Sequence, residues 1–325
     1  MFPLGLLREL KRSAGEWSLP GPGAPAGAKR AREAKELEAS GLRIERHPYL
    51  GMRILPEGMP LVREELSAIH AEAGWGGEAV FRRATGSTND DAGDLARRGA
   101  AEGTVVIAEH QTRGRGRLGR RWESRKGKDL LLSLVLRPSF SPAVAGLTVL
   151  GAVAATEGIL RSCGRRMRIR WPNDVVYRRK KVAGVLVEGG KERSGRPFFV
   201  VGIGINVCGE APMTGATTLE EACGTFVDRA AVFGGVLGAL RRRYDDLAAG
   251  RLDEIERFWK ERSATLGRNI TIESGGRRYS GEVVDLSLRE GLVLEGEKGE
   301  RRHFRGEHVS VIEHDRRGAA HREGG

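Results

Sequence analysis

Gly114-Arg115-Gly116-Arg117-Leu118-Gly119-Arg120-Arg121-Trp122 is the stretch on which the reading of this chain turns. Three glycines in six residues let a backbone fold closely around a ligand and present its N–H groups. Arginines at 115, 117, 120 and 121 add fixed positive charge and forked donors suited to carboxylate or phosphate. Trp122 supplies an apolar wall. The bland alternative is a flexible arginine-rich loop that binds RNA without specificity. Against it, the segment lies between two strand patterns, β-branched Thr104–Glu109 and apolar Leu130–Arg137. A loop between two strong strands is held at both ends.

Three further segments carry polar residues where plain structure does not demand them. Arg170-Trp171-Pro172-Asn173-Asp174 follows one strand, and Lys180-Lys181-Val182-Ala183-Gly184-Val185-Leu186-Val187-Glu188 leads into a later one. Asn-Asp in a turn and Lys-Lys at a solvated hairpin tip are the structural alternative. Gly86-Ser87-Thr88-Asn89 stands at a helix start, where N-capping is the ordinary use of such residues. Val201-Gly202-Ile203-Gly204-Ile205-Asn206 is a strand with two glycines, which implies close approach of something to its backbone.

Around these motifs the pattern mixes helices and strands without regular alternation, an α+β class. Strands are expected at Val80–Ala84, Met167–Arg170, Val175–Tyr177, Val182–Glu188 and Phe198–Val207. Helices are expected over Asn89–Arg98, Ala143–Ser162, Asp228–Ala248 and Leu252–Ser263. Five short strand runs after Gly267 suit a small β-barrel. Residues 1–60 read as a separate unit. A helical face at Leu4, Leu6, Leu7 and Leu10 precedes a Pro/Gly stretch, a helix over Ala28–Ala39, and two strands at Leu42–Glu45 and Gly51–Leu55. Helix, helix and a two-stranded wing is the order of a winged helix-turn-helix. The expected division is a winged-helix-like unit at 1–60, a connecting helix at 61–79, a mixed-sheet catalytic domain at 80–267, a small barrel at 268–313 and a disordered tail at 314–325.

The 325 residues allow a full core without disulfides, and the three cysteines form no C-x-x-C pair. That argues against a disulfide framework or zinc site and leads us to expect a cytoplasmic protein. The N-terminus lacks a signal-peptide layout, and Ala143–Ala155, the most apolar run, is too short to span a bilayer. No membrane partner is expected. The formal charge of +12 is compatible with DNA, a phosphate-bearing substrate or an acidic protein partner.

In this order, the four motifs resemble those of the biotin protein ligases, over roughly residues 80–313. The resemblance implies the mixed-sheet catalytic fold of the biotin/lipoate ligase type, an SH3-like C-terminal barrel, and looser kinship of the N-terminus with winged-helix repressor domains. It implies ATP-dependent formation of biotinyl-5′-AMP, with Mg²⁺ accompanying ATP, then transfer to a lysine of a biotin carboxyl carrier protein. By position, it implies biotin contacts at Ser87, Thr88, Asn89, Gln111, Gly114, Arg115, Trp122, Lys181 and Gly184. Nucleotide contacts are implied at Arg117, Arg120, Asn173, Asp174, Lys181 and Asn206, with Lys181, Arg115, Arg117 and Asp174 carrying the chemistry. A secondary role as a repressor on operator DNA, as monomer or homodimer, follows from the same kinship.

Two stretches depart from the family pattern. Prolines 20, 22 and 25 stand where a helix should precede the recognition helix, each costing about 3 kcal/mol inside one. Gly306-Glu307 is followed by His-Val-Ser-Val-Ile, without the arginine many relatives carry, and Arg305 is the nearest replacement. Three other readings stand beside the ligase: a lipoate ligase of similar fold, a biotin-sensing DNA-binding protein, and an RNA-binding protein using the basic loop.

Overall fold

The computed structural model describes residues 2–19, 27–139, 144–306 and 309–314. Prolines 20, 22 and 25, Glu307, His308 and the tail beyond 314 therefore lie outside the described residues.

The chain opens with α1 (Leu4–Arg12) and α2 (Gly27–Ala39), then an antiparallel hairpin of β1 (Ile44–His47) and β2 (Gly51–Ile54). Leu6, Leu7 and Leu10 bury one face of α1 against Ala34, Leu37, Leu42 and Ile54, a small core of their own. Helix α3 (Arg63–Glu72) leads into a seven-stranded sheet. Its strands are β3 (Ala79–Arg82), β4 (Val105–Ala108), β5 (Asp129–Leu136), β6 (Arg168–Arg170), β7 (Asp174–Tyr177), β8 (Lys180–Lys191) and β9 (Pro197–Asn206). They lie in the order β3-β4-β5-β9-β8-β7-β6, with β3 and β4 parallel and the other neighbours antiparallel.

Period-two alternation decides what each face of this sheet does. On β9, Val201, Ile203 and Ile205 join the main core, while Phe198 and Val200 pack with Ala92 and Ala96 of α4 (Thr88–Arg97). Gly202 and Gly204 continue this second face, so α4 and the glycines share one side of the sheet. The other side is covered by α5 (Val144–Cys163), which is buried almost all round because it is sandwiched. Its 20 residues are long and apolar enough to cross a bilayer, yet 78% of the apolar window is buried inside the fold, as suits a core helix. Small residues permit the sandwich: a Cβ on Gly151 would meet Val185 of the sheet at 2.8 Å. One on Gly158 would meet the backbone of Val236 at 2.4 Å, in α7 (Arg229–Ala248).

Beyond α8 (Leu252–Glu261) come β10 (Asn269–Ser274), β11 (Arg277–Ser287), β12 (Gly291–Glu295), β13 (Arg301–Phe304) and β14 (Val309–His314). They form an antiparallel sheet in the order β13-β12-β11-β10-β14, consistent with a small barrel. One short helix, α6 (Leu219–Cys223), has no counterpart in the expected pattern. Five residues are too few for a helical period to show. The hairpin strand β8 also begins at Lys180, two residues ahead of the apolar run that marks it.

Candidate active site

The floor of the site is the entry to α4. Ser87 is extended (φ −154°, ψ 135°) and makes no capping bond, so its hydroxyl is not consumed by the helix start. Thr88 gives both its backbone N–H and its hydroxyl to Gln111 Oε1, at 2.6 and 2.9 Å. Ser133 Oγ of β5 lies 2.7 Å from Thr88 Oγ1 and 2.6 Å from Asn89 Oδ1. Asn89 Nδ2 donates to Glu188 Oε2 at 2.7 Å. Ser87, Thr88, Asn89 and Gln111 are all buried. Thr88, Asn89 and Gln111 are thus held by hydrogen bonds within the protein, while the Ser87 hydroxyl is left to a ligand.

The close approach expected at the β9 glycines has an identity: it is protein. A Cβ on Gly202 would fall 2.0 Å from Asn89 Oδ1, and one on Gly204 would fall 2.6 Å from the Trp122 ring. A Cβ on Gly184 would stand 3.1 Å from both Trp122 and the Lys181 side chain. The glycines therefore seat the polar floor and the aromatic wall.

The loop closes on itself like a small hairpin. Trp122 N donates to Gly114 O at 3.0 Å, and Gly116 N to Arg120 O at 2.7 Å. A Cβ on Gly114 would lie 2.6 Å from Trp122 O, so this glycine serves the closure of the loop and does not line the cavity. Leu118 sits at its tip in the left-handed region (φ 55°). Arg115 pairs with Asp90 and Glu188, each at 2.7 Å. Arg117 donates to Asn173 Oδ1 at 3.3 Å, to Gly306 O and to Val309 O at 3.1 Å, tying the loop to the C-terminal sheet. Arg305, the proposed stand-in, is exposed and does not line the cavity.

The third wall is the β7–β8 hairpin. Its tip is Arg178-Arg179, both at positive φ, and not Lys180-Lys181. Lys181 instead turns inward, with Nζ 2.6 Å from Asp174 Oδ1 and 5.4 Å from the Trp122 ring centroid. Arg170 reaches Asp174 Oδ2 at 2.9 Å. Burial pushes the Asp174 carboxyl up, but the Lys181 and Arg170 charges outweigh it and hold it below the usual aspartate range. Asn173 anchors to Val185 O at 2.8 Å. Asn206 reaches Lys181 O and Thr217 O with its amide nitrogen, while its buried Oδ1 has no partner among the described residues. Asn206 does not line the cavity and instead bonds the Lys181 carbonyl.

These walls enclose a cavity of about 420 Å³. Arg115, Arg117, Arg120, Arg121, Arg170 and Lys181 line it, against the carboxylate of Asp174 alone among the described residues. Of the fourteen expected site residues, all but Gly114 and Asn206 line this cavity. What sequence reasoning missed is Met213-Thr214-Gly215-Ala216, which closes one side. Gly215 O accepts from Lys181 N at 2.8 Å. This segment has no periodicity or charge to announce it. No cluster of three or more His, Cys, Asp or Glu suited to a metal occurs among the described residues. A magnesium ion at Asp174 would thus draw most of its ligands from substrate phosphates and water.

The class defined by this fold and cavity is a protein that holds an anionic ligand among cations, beside a hydrogen-bonded polar floor. Residues 81–206 match the model of the biotin/lipoate A/B protein ligase family. The bifunctional ligase/repressor BirA of Bacillus subtilis is 30% identical over 276 residues, covering 82% of this chain and 85% of the relative. The biotin–[acetyl-CoA-carboxylase] ligase of Mycobacterium tuberculosis is 33% identical, covering 72% of this chain and 88% of its own. The biotin protein ligase from Aquifex aeolicus in complex with biotin and ATP superposes with a TM-score of 0.63 at 28% identity, covering 72% of this chain and 98% of that one. The chain belongs to the biotin protein ligases of this family.

Proposed function

We propose that the chain joins biotin to ATP and passes the biotinyl group to a lysine of a biotin carboxyl carrier domain. The observation that carries this reading is the convergence of six cations and one carboxylate on a single cavity whose polar floor is fixed in advance. In the first step a carboxylate oxygen of biotin attacks the α-phosphorus of ATP, forming biotinyl-5′-AMP and releasing pyrophosphate. In the second, the uncharged carrier amine attacks the acyl carbon, an amide forms, AMP leaves with its bonding electrons, and the amine's proton passes to water. No protein nucleophile is required, because the substrate carboxylate serves.

The residue types divide between these tasks. Ser87, Thr88, Asn89 and Gln111 offer the donors and acceptors that a cyclic urea needs, and Trp122 with Gly184 forms the flat wall beside it. Lys181 stands where carboxylate and α-phosphate must meet. Repulsion between those anions is a large part of the barrier, and each well-placed cation lowers it by about 3 kcal/mol. Arg115 and Arg117 close the loop over the reactive adenylate. Arg120 and Asn173 face the nucleotide, and Asn206 holds the Lys181 backbone. ATP enters with its Mg²⁺, for which Asp174 is the one lining carboxylate among the described residues. Held anionic by two cations, Asp174 is a weak base. Its part in transfer is to orient the incoming amine.

The test is an intact-mass measurement on a carrier domain incubated with this chain, biotin and MgATP. One biotinyl addition on a lysine is expected, and none on offering lipoate instead. An unmodified carrier would sink the reading. Lys181→Ala should lower adenylate formation by about 100-fold, and normal formation would remove its assignment.

A second reading, a repressor role, is supported by exposed Lys29, Arg32 and Lys35 on α2 beside a hairpin carrying Tyr49, which is 83% exposed. A gel shift of operator DNA that depends on biotinyl-adenylate is its expected signature, and binding indifferent to the adenylate would refute it.

A further inference from the structure

Outside the cavity, one buried cation gathers segments that are far apart in sequence. Arg229, at the start of α7, is 3% exposed. Its guanidinium pairs with both oxygens of Glu109, at 2.6 and 3.2 Å. It also donates to Asp129 O at 3.2 Å and to Met59 O at 2.7 Å. Glu109 directly follows β4, and Asp129 is the first residue of β5. They are the two stems of the segment 110–128, which carries Gln111, the glycine–arginine loop and Trp122. Asp129 in turn fixes the descending stem, its carboxylate accepting from Arg125 N at 2.6 Å and from the Arg125 guanidinium at 2.5 Å. The third tether is the interdomain connection, since Glu109 Oε1 also accepts from Leu61 N at 2.5 Å. One residue upstream, Asp228 caps α7 through Ala230 N and pairs with Lys11 of α1 at 3.1 Å.

We infer that Arg229 is the positioning residue for the loop that closes the site, clamping both loop stems and the interdomain connection with one guanidinium. It touches no substrate and acts through Glu109 and Asp129. The planar fork matters: four acceptors around one guanidinium exceed what the three donors of an ammonium can satisfy. Loosening one stem lets the segment pivot. Loosening both frees Gln111 from Thr88 as well as the loop arginines from the cavity. For its effect on adenylate the inference rests on the ligase reading above; for loop position it does not.

The experiment uses the full-length chain with Arg229→Lys, which keeps the charge and loses the fork, and Glu109→Gln, which keeps the shape and loses the charge. The first readout is tryptic cleavage of the ligand-free protein within 113–121, timed against cleavage at sites remote from the loop. The second is the rate of biotinyl-adenylate release. We expect loop cleavage to rise selectively in both variants and release to quicken about 10- to 100-fold. Cleavage that rises equally at remote sites, or does not rise, marks a merely structural ion pair and overturns the inference, as does unaltered release. If the wild-type chain forms no adenylate, the ligase reading fails, and selective cleavage alone then decides the loop.

Discussion

Asp174 and Gly204 show how far single residues carry the site. Asp174 has its pKa held down, so its pairing with Lys181 and Arg170 contributes stability above the ordinary aspartate value of about 3.8. That contribution is lost only as pH falls through the lower folded value. Asp174→Asn should therefore cost about 2 kcal/mol from neutral pH down to about pH 4, and the gap to wild type should close below that. Urea unfolding across that range measures it, and a gap already closing at pH 6 would contradict the assigned direction. Gly204 is the seat of the Trp122 ring. Gly204→Ala must displace the indole, because the strand around it is paired on both sides. A cost of about 1–3 kcal/mol in stability is expected. A larger loss in biotin affinity should accompany it, read by calorimetry and by quenching of indole fluorescence. Unchanged affinity would separate Trp122 from the pocket.

At the scale of elements, the sheet's two faces do different work. Helix α4 delivers Thr88 and Asn89 to the site face, while α5 and α7 build the core behind it. The close packing of α5 on α7 depends on glycine at both contact points, Gly158 and Gly235. Gly158→Ala places a methyl 2.4 Å from the Val236 backbone, where no side chain can rotate away. Backbone must move, so a loss of about 3 kcal/mol is expected despite alanine's better helix propensity. A thermal midpoint unchanged or raised would show that the helices part without cost. Helix α5 was legible as an apolar run too long for a strand, and α4 from the acids Asp90 and Asp91 in its first turn. The start of β8 was not, because Lys181 is a cation pointing inward, and no periodicity distinguishes an inward lysine from a solvated one.

Across the whole molecule, buried charges fasten the N-terminal unit to the catalytic core. Lys11 Nζ lies 2.8 Å from Glu65 Oε2 and 3.1 Å from Asp228, with Lys11 and Glu65 side chains 7% and 5% exposed. Burial pushes the Glu65 carboxyl above its usual range, and nearby Lys11 opposes this. Removing Lys11 takes away the ammonium shared by the two carboxylates and leaves Glu65 only the more distant charge of Arg8. Lys11→Met should cost about 3–5 kcal/mol near neutral pH. Because the Glu65 pKa is raised in the folded state, protonation favours the fold, and stability falls as pH rises through that value. The Lys11→Met deficit should therefore shrink on acidification as Glu65 takes up a proton. A deficit that grows on acidification would refute this account of the junction.

The sequence alone determined the α+β class, nearly every strand and helix, and the types of residue gathered for anion chemistry. Local periodicity, glycine and charge are properties of neighbouring residues and need no third dimension. Tertiary structure decided what those residues touch. It showed that the β9 glycines accommodate Trp122 and Asn89, that Gly114 serves loop closure, and that Arg117 reaches the C-terminal sheet. It also brought Arg229 to Glu109 across 120 positions. Such contacts depend on which strands become neighbours, and that is fixed by the packing of the whole core.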